Sequence, residues 1–146
     1  MSQVINSPQT MFLIMKILSV SFLTILFLQS GIDKIIDKKG NLNWLRSHFA
    51  NSPLKNNVPV LLIIVTVIEL FSGLLNLLGL VLLVYNGNEI FAIFGTILAS
   101  LALIMLFFGQ RIAKDYVGAQ SLVSYFILTL LTLFLLRLSL TSISYY

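Results

Sequence analysis

The chain has 146 residues, 58% hydrophobic and 10% charged, with a mean hydropathy of +1.01 and a net charge of +4. A soluble domain carries roughly 25% charged residues, so the composition points to a membrane protein. With no cysteine and one histidine, His48, the chain cannot build disulfides, thiolate metal sites, cysteine-held clusters or a multi-histidine centre.

Four apolar runs are long enough to cross a bilayer, at about 20 residues each. They predict an all-α integral membrane four-helix bundle, a single transmembrane domain over residues 1–146. Residues 1–10 are polar and lack the basic region of a signal peptide. The first span is expected over about 11–32, with Lys16 near enough to its end for its stem to snorkel outward. The charged stretch "DKIIDKKGN" should end this helix near Gly40. In "NLNWLRSHFANSPLKNN", Asn41 or Asn43 is a candidate cap. Leu42, Leu45 and Phe49 share a face with Trp44 beside them, which predicts a short helix lying along the interface. Ser52-Pro53 should end it.

The second span is expected over about 58–84, with Pro59 in its first turn. It is long enough that it must tilt or overhang. "YNGNE" reads as a tight turn around Gly87. The third span is expected over about 90–109. "QRIAKDYVG" then forms a loop, and the fourth span covers about 119–140. The tail "TSISYY" suits an interface.

Basic residues divide unevenly between the two faces. The loops at 33–57 and 110–118 carry Lys34, Lys38, Lys39, Arg46, Lys55, Arg111 and Lys114. The opposite face has Lys16 and Arg137, both inside helix ends. The positive-inside rule places the two charged loops in the cytoplasm and both termini outside. The same basic residues would favour nucleic acid in a soluble protein. Beside membrane spans they are read as topology and lipid-headgroup signals, so the expected partner is the bilayer and not nucleic acid.

Glu69, in "TVIELFSGLLNLLG", is the residue an ordinary membrane helix would not contain. A mid-span charge costs about 2.5–3.5 kcal/mol on insertion scales. Glu69 lies roughly 16 Å into its span at 1.5 Å per residue, so it must be neutral, face a cation or face a wet cavity. Ser72, Gly73 and Asn76 fall on its side of the helix. This polar, small-residue stripe predicts that Glu69 points into the bundle. Ser30, Asp33, Lys34 and Asp37 form a matching stripe at the end of the first span. Lys34 or Arg111 are candidate charged partners for Glu69, and Gln29 and Tyr125 are neutral ones. Gly95, Ala99 and Ala102 form a packing face on the third span. Ser121, Tyr125, Thr129 and Thr132 form a mildly polar face on the fourth, and the four stripes could line one interior. Three roles for Glu69 stay open: locking the bundle in register, handling a proton, ion or ligand, or contacting another subunit.

No catalytic set appears. There is no phosphate-binding glycine loop, no nucleophile beside a base and no metal-ligand spacing. Asp33 and Asp37 are crowded by Lys34, Lys38 and Lys39 and read as helix-end salt bridges. His48 reads as an interfacial or packing residue.

"FLQSGIDKIID", "VIELFSGLLNLLGL" and "GQRIAKDYVGAQSLVSYFIL" together resemble the DoxX family of small four-helix bacterial membrane proteins. The resemblance covers nearly the whole chain and rests on the order and spacing of short, greasy motifs. The matching positions are Gly31, Lys34, Glu69, Gly73 and Gly79. The resemblance implies a protein of the bacterial cytoplasmic (inner) membrane. The family takes its name from a subunit linked to a thiosulfate:quinone oxidoreductase, and other members are associated with oxidative-stress or sulfur-redox assemblies. The function expected on this basis is a non-catalytic subunit or scaffold of a membrane redox or envelope complex, with a larger membrane or envelope protein as partner and homo-oligomers also open. No cofactor is expected, although an apolar cleft with a few polar groups would admit a quinone. The alternatives are a quinone- or small-solute-binding redox component using Glu69 and a small proton-linked transporter or channel.

Overall fold

Ser7 starts the first helix. Its hydroxyl accepts the Thr10 amide at 3.2 Å, and Pro8 supplies the fixed φ that suits a first turn. The computed structural model describes residues 7–138. Among these residues are five helices and no strand: α1 Pro8–Ile36, α2 Lys38–His48, α3 Val58–Asn86, α4 Ile90–Ile112 and α5 Tyr116–Arg137. Helices α1, α3, α4 and α5 are each long and apolar enough to span a membrane, and α2 is the short helix that follows the first span.

The helix ends depart from the sequence expectation in specific ways. Helix α1 ends at Ile36, about a turn short of the expected end near Gly40; Asp33 and Lys34 are helical, as their place in the polar stripe requires. Asp37 breaks the chain and caps α2, its carboxylate accepting the Gly40 amide at 3.0 Å. Asn41 is therefore not the cap; its side-chain amide donates back to the Asp37 carbonyl at 2.8 Å. Asn43 lies inside α2 as well. Helix α2 ends at His48, before Ser52-Pro53. Ser52 instead stabilises the following turn, donating to the Phe49 carbonyl and accepting the Leu54 amide. Helix α4 continues through Gln110 and Arg111, which had been assigned to a loop. Helix α5 begins at Tyr116 because Asp115 accepts the Gly118 amide at 2.8 Å, and it closes at Arg137. The last part of the expected fourth span and the tail "TSISYY" lie outside the described residues, as do residues 1–6. Gly87 closes α3 with φ 73°, a left-handed conformation that glycine adopts without steric cost.

The spanning helices pack in the ring α1–α3–α4–α5, with a lighter return contact from α5 to α1. Glycines allow the closest approaches. A Cβ on Gly31 would lie 2.7 Å from Leu70, and one on Gly73 would lie 2.8 Å from the Leu28 backbone, so α1 and α3 nearly touch. A Cβ on Gly79 would lie 2.6 Å from Ala92 Cα, and one on Gly95 2.7 Å from the Asn76 amide nitrogen, so α3 and α4 do the same. Small residues at such contacts increase dispersion contact where no hydrophobic force acts between helices. Leu23 and Phe27 of α1 meet Ala99, Ala102 and Leu103 of α4 at the centre, with Ile68 and Phe126 packed against them. Val20, Ala92 and Leu136 form a second layer towards the other end.

Only 28–33% of each span's apolar window is buried. The rest, including Leu18, Ile25, Phe71, Phe94 and Phe134, faces outward. An apolar exterior this extensive would aggregate in water and is at home in hydrocarbon. The protein is a multi-pass membrane protein.

The helices are offset along the bundle. The Gly31–Leu70 and Leu28–Gly73 contacts set a register that brings Ile36, the last residue of α1, level with Val65 of α3. Helix α3 therefore extends about two turns, on the order of 10 Å, beyond the end of α1. The two helices have the same length, 29 residues, so the step comes from their offset, and α2 lies over it.

Candidate polar site between α1 and α3

The offset brings Glu69 level with the last two turns of α1. Ser30 and Lys34, one turn apart on α1, both reach it. Lys34 Nζ donates to Glu69 Oε1 at 3.1 Å, to Ser30 Oγ at 2.7 Å and to the Ser30 carbonyl at 3.2 Å. Ser30 Oγ donates in turn to Glu69 Oε1 at 3.2 Å. Glu69 Oε2 is nearer the ammonium, at 2.8 Å, so both carboxylate oxygens face Lys34. The Glu69 side chain is 1% exposed and that of Lys34 is 18% exposed. The carboxylate is enclosed, while the lysine stem leads towards the membrane surface.

The other residues of the polar stripe turn to a different neighbour. Ser72 donates to the Gly95 carbonyl of α4 at 2.9 Å. Asn76 donates to the Ser72 carbonyl at 3.0 Å and accepts from Thr96 Oγ1 at 3.1 Å. All three side chains are fully buried. Asn76 thus belongs to an α3–α4 cluster about two turns from Glu69, and not to its coordination.

Three other candidates stand apart from Glu69. Gln29 is exposed. Tyr125 stacks on Phe22 with ring centroids 6.4 Å apart. Arg111 lies over the Tyr116 ring, 4.7 Å from its centroid. Thr129 and Thr132 of α5 return their hydroxyls to carbonyls of their own helix, each at 2.8 Å. The four stripes therefore do not line one interior: that of α3 divides between α1 and α4, and Thr129 and Thr132 of α5 bond within their own helix.

At the opposite face is a second ion pair that the sequence reading missed. The Lys16 stem is buried and carries Nζ to the helix ends at this face, 2.7 Å from Glu89 Oε1 before α4 and 3.3 Å from the Leu138 carbonyl after α5. A signal was present: Lys16 and Lys34 are eighteen positions apart, five turns of 3.6 residues, and so share one face of α1. Each pairs with one of the chain's two glutamates. Glu89 is 24% exposed, so this pair is wetter than the Lys34–Glu69 pair.

The step above α1 holds a cavity of about 360 Å³. Trp44 and Leu45 of α2 roof it with Phe49, which follows that helix; Leu61 and Val65 of α3 form one wall and Met105 of α4 forms the other. Lys34, Asn41 and Gln110 contribute polar groups at its edge. The roof is fastened at its C-terminal end, where the Phe49 ring rests on Gly109 and His48 Nε2 lies 2.7 Å from Gln110 Oε1. Trp44 stacks on His48 at 4.7 Å, and Asp115 lies 3.8 Å from the same imidazole nitrogen.

No family model, curated protein or solved structure matches this chain.

Proposed function

We propose that this chain is a DoxX-like, non-catalytic subunit or scaffold of a membrane redox or envelope complex, resident in a bacterial inner membrane with its charged loops in the cytoplasm. One observation carries the reading. The charged groups held within the bundle engage each other inside the chain, Glu69 with Lys34 and Ser30, Lys16 with Glu89. Both pairs tie α1 to the α3–α4 hairpin. Charges arranged in this way fix helix register, a use for which buried polar groups are suited. Broad apolar faces remain outside the bundle for lipid or for the spans of a partner.

The test is gentle extraction of the tagged chain from its own membranes, followed by mass spectrometry of the material that accompanies it. A partner in constant stoichiometry is the expected result. Recovery of the chain alone, or only with copies of itself, would overturn the assignment as a subunit.

A further inference from the structure

The cavity under α2 is not used by the reading above. It opens where α1 stops short and α3 and α4 continue, so it lies at the membrane face and its walls are aliphatic. Its volume of about 360 Å³ falls within the range of small-ligand sites, about 300–1,000 Å³. An apolar recess of this kind in a bilayer adjoins hydrocarbon chains, and water gains little from occupying it.

Basic residues flank the lining in sequence without being part of it: Arg46 follows Leu45 of the roof and Lys55 follows Leu54, and both are exposed. Lys38 and Lys39 open the roof helix and are exposed as well. Lys34 is excluded from this group because Glu69 already neutralises it. The acids around the roof are Asp33, Asp37, which is engaged in capping α2, and Asp115, which lies 3.8 Å from His48. Basic clusters at a membrane face attract anionic headgroups.

We infer that the cavity binds one acyl chain of an anionic phospholipid, with the chain under α2 between α3 and α4 and the headgroup against Arg46, Lys55 and the start of α2. The bound lipid completes the bundle beyond the end of α1, and it does so whether or not the chain has a protein partner. The hydrogen bond from His48 to Gln110 keeps the roof closed over the chain.

Trp44 is the only tryptophan and stands in the roof, so the unmodified protein carries its own probe. The full chain is reconstituted in phosphatidylcholine vesicles containing a minor fraction of acyl-brominated phosphatidylglycerol, and Trp44 fluorescence is recorded. Quenching several-fold above that expected from the mole fraction is the predicted result, with brominated phosphatidylcholine quenching only in proportion. Val65→Phe and Met105→Phe fill the cavity from opposite walls and should remove the excess, with circular dichroism reporting that the helices persist. Ile64→Phe points outward from the same helix as Val65 and should leave the excess intact. Paired Arg46→Gln and Lys55→Gln should abolish the preference for phosphatidylglycerol. Equal quenching by the two lipids in the unmodified protein overturns the inference. So does an excess that survives both filling variants, or one abolished by a small fraction of a long-chain quinone, which would assign the cavity to a redox carrier.

Discussion

Replacing Lys34 by Met removes the counter-charge from a carboxylate that is 1% exposed. At the observed 2.8 Å, two unit charges attract by about 6 kcal/mol at an effective dielectric near 20, before desolvation is subtracted. Breaking such a buried pair from one side typically costs about 3–5 kcal/mol, because the remaining charge has no replacement partner. Glu69→Gln should cost less, about 1–2 kcal/mol. The amide oxygen retains the Ser30 hydroxyl, and Lys34 can extend towards the headgroups. Carrying both changes, Lys34→Met with Glu69→Gln should cost little more than Glu69→Gln alone, which gives a coupling of about 3 kcal/mol. Steric trapping in bicelles measures unfolding free energies without leaving the bilayer environment and would supply all four corners of the cycle. Simple addition of the two single losses would refute the claim that the residues act as a pair.

Three further outcomes follow from the packing. Gly79→Leu would drive a side chain into the α4 backbone at Ala92, so a loss of about 1–3 kcal/mol is expected in the same assay. Lys16→Met should cost no more than about 1 kcal/mol, because Glu89 is 24% exposed and can reach water; that loss should shrink in high salt, whereas the Lys34→Met loss should not. His48→Ala removes the Gln110 contact and the Trp44 stacking partner, so hydrogen–deuterium exchange should rise over Lys38–His48 and remain unchanged over the centre of α3.

The spans were legible because hydrophobic length is a strong, local signal, and Pro59 and Gly87 mark their helix ends in the expected way. The ends that differ are set by polar residues at the interface. Asp37 caps α2 and so ends α1 before Gly40, while Gln110 and Arg111, read as loop residues, occupy the last turn of α4. The polar stripe of α3 was equally visible, but its division was not. Glu69 turns to α1 and Asn76 turns to α4, which depends on how far each helix slides along its neighbour. That offset is set by contacts such as Gly31 on Leu70 and Gly79 on Ala92, and no single helix encodes it. The same offset selects Lys34 over Arg111, Gln29 and Tyr125, and it creates the cavity under α2. The pairing of Lys16 with Glu89 was legible in part, from the five-turn spacing of the two α1 lysines.

The central claim, that Lys34 and Glu69 are in contact within the bilayer, can be measured directly by solid-state NMR. The chain would carry ¹⁵N-labelled lysine and ¹³C-labelled glutamate in lipid bilayers. With only two glutamates, Glu69 and Glu89, the spectrum stays simple. The observed geometry predicts a lysine Nζ to glutamate Cδ contact within about 4 Å that persists in Glu89→Gln and disappears in Glu69→Gln. A Glu89→Gln sample without such a contact would contradict the account.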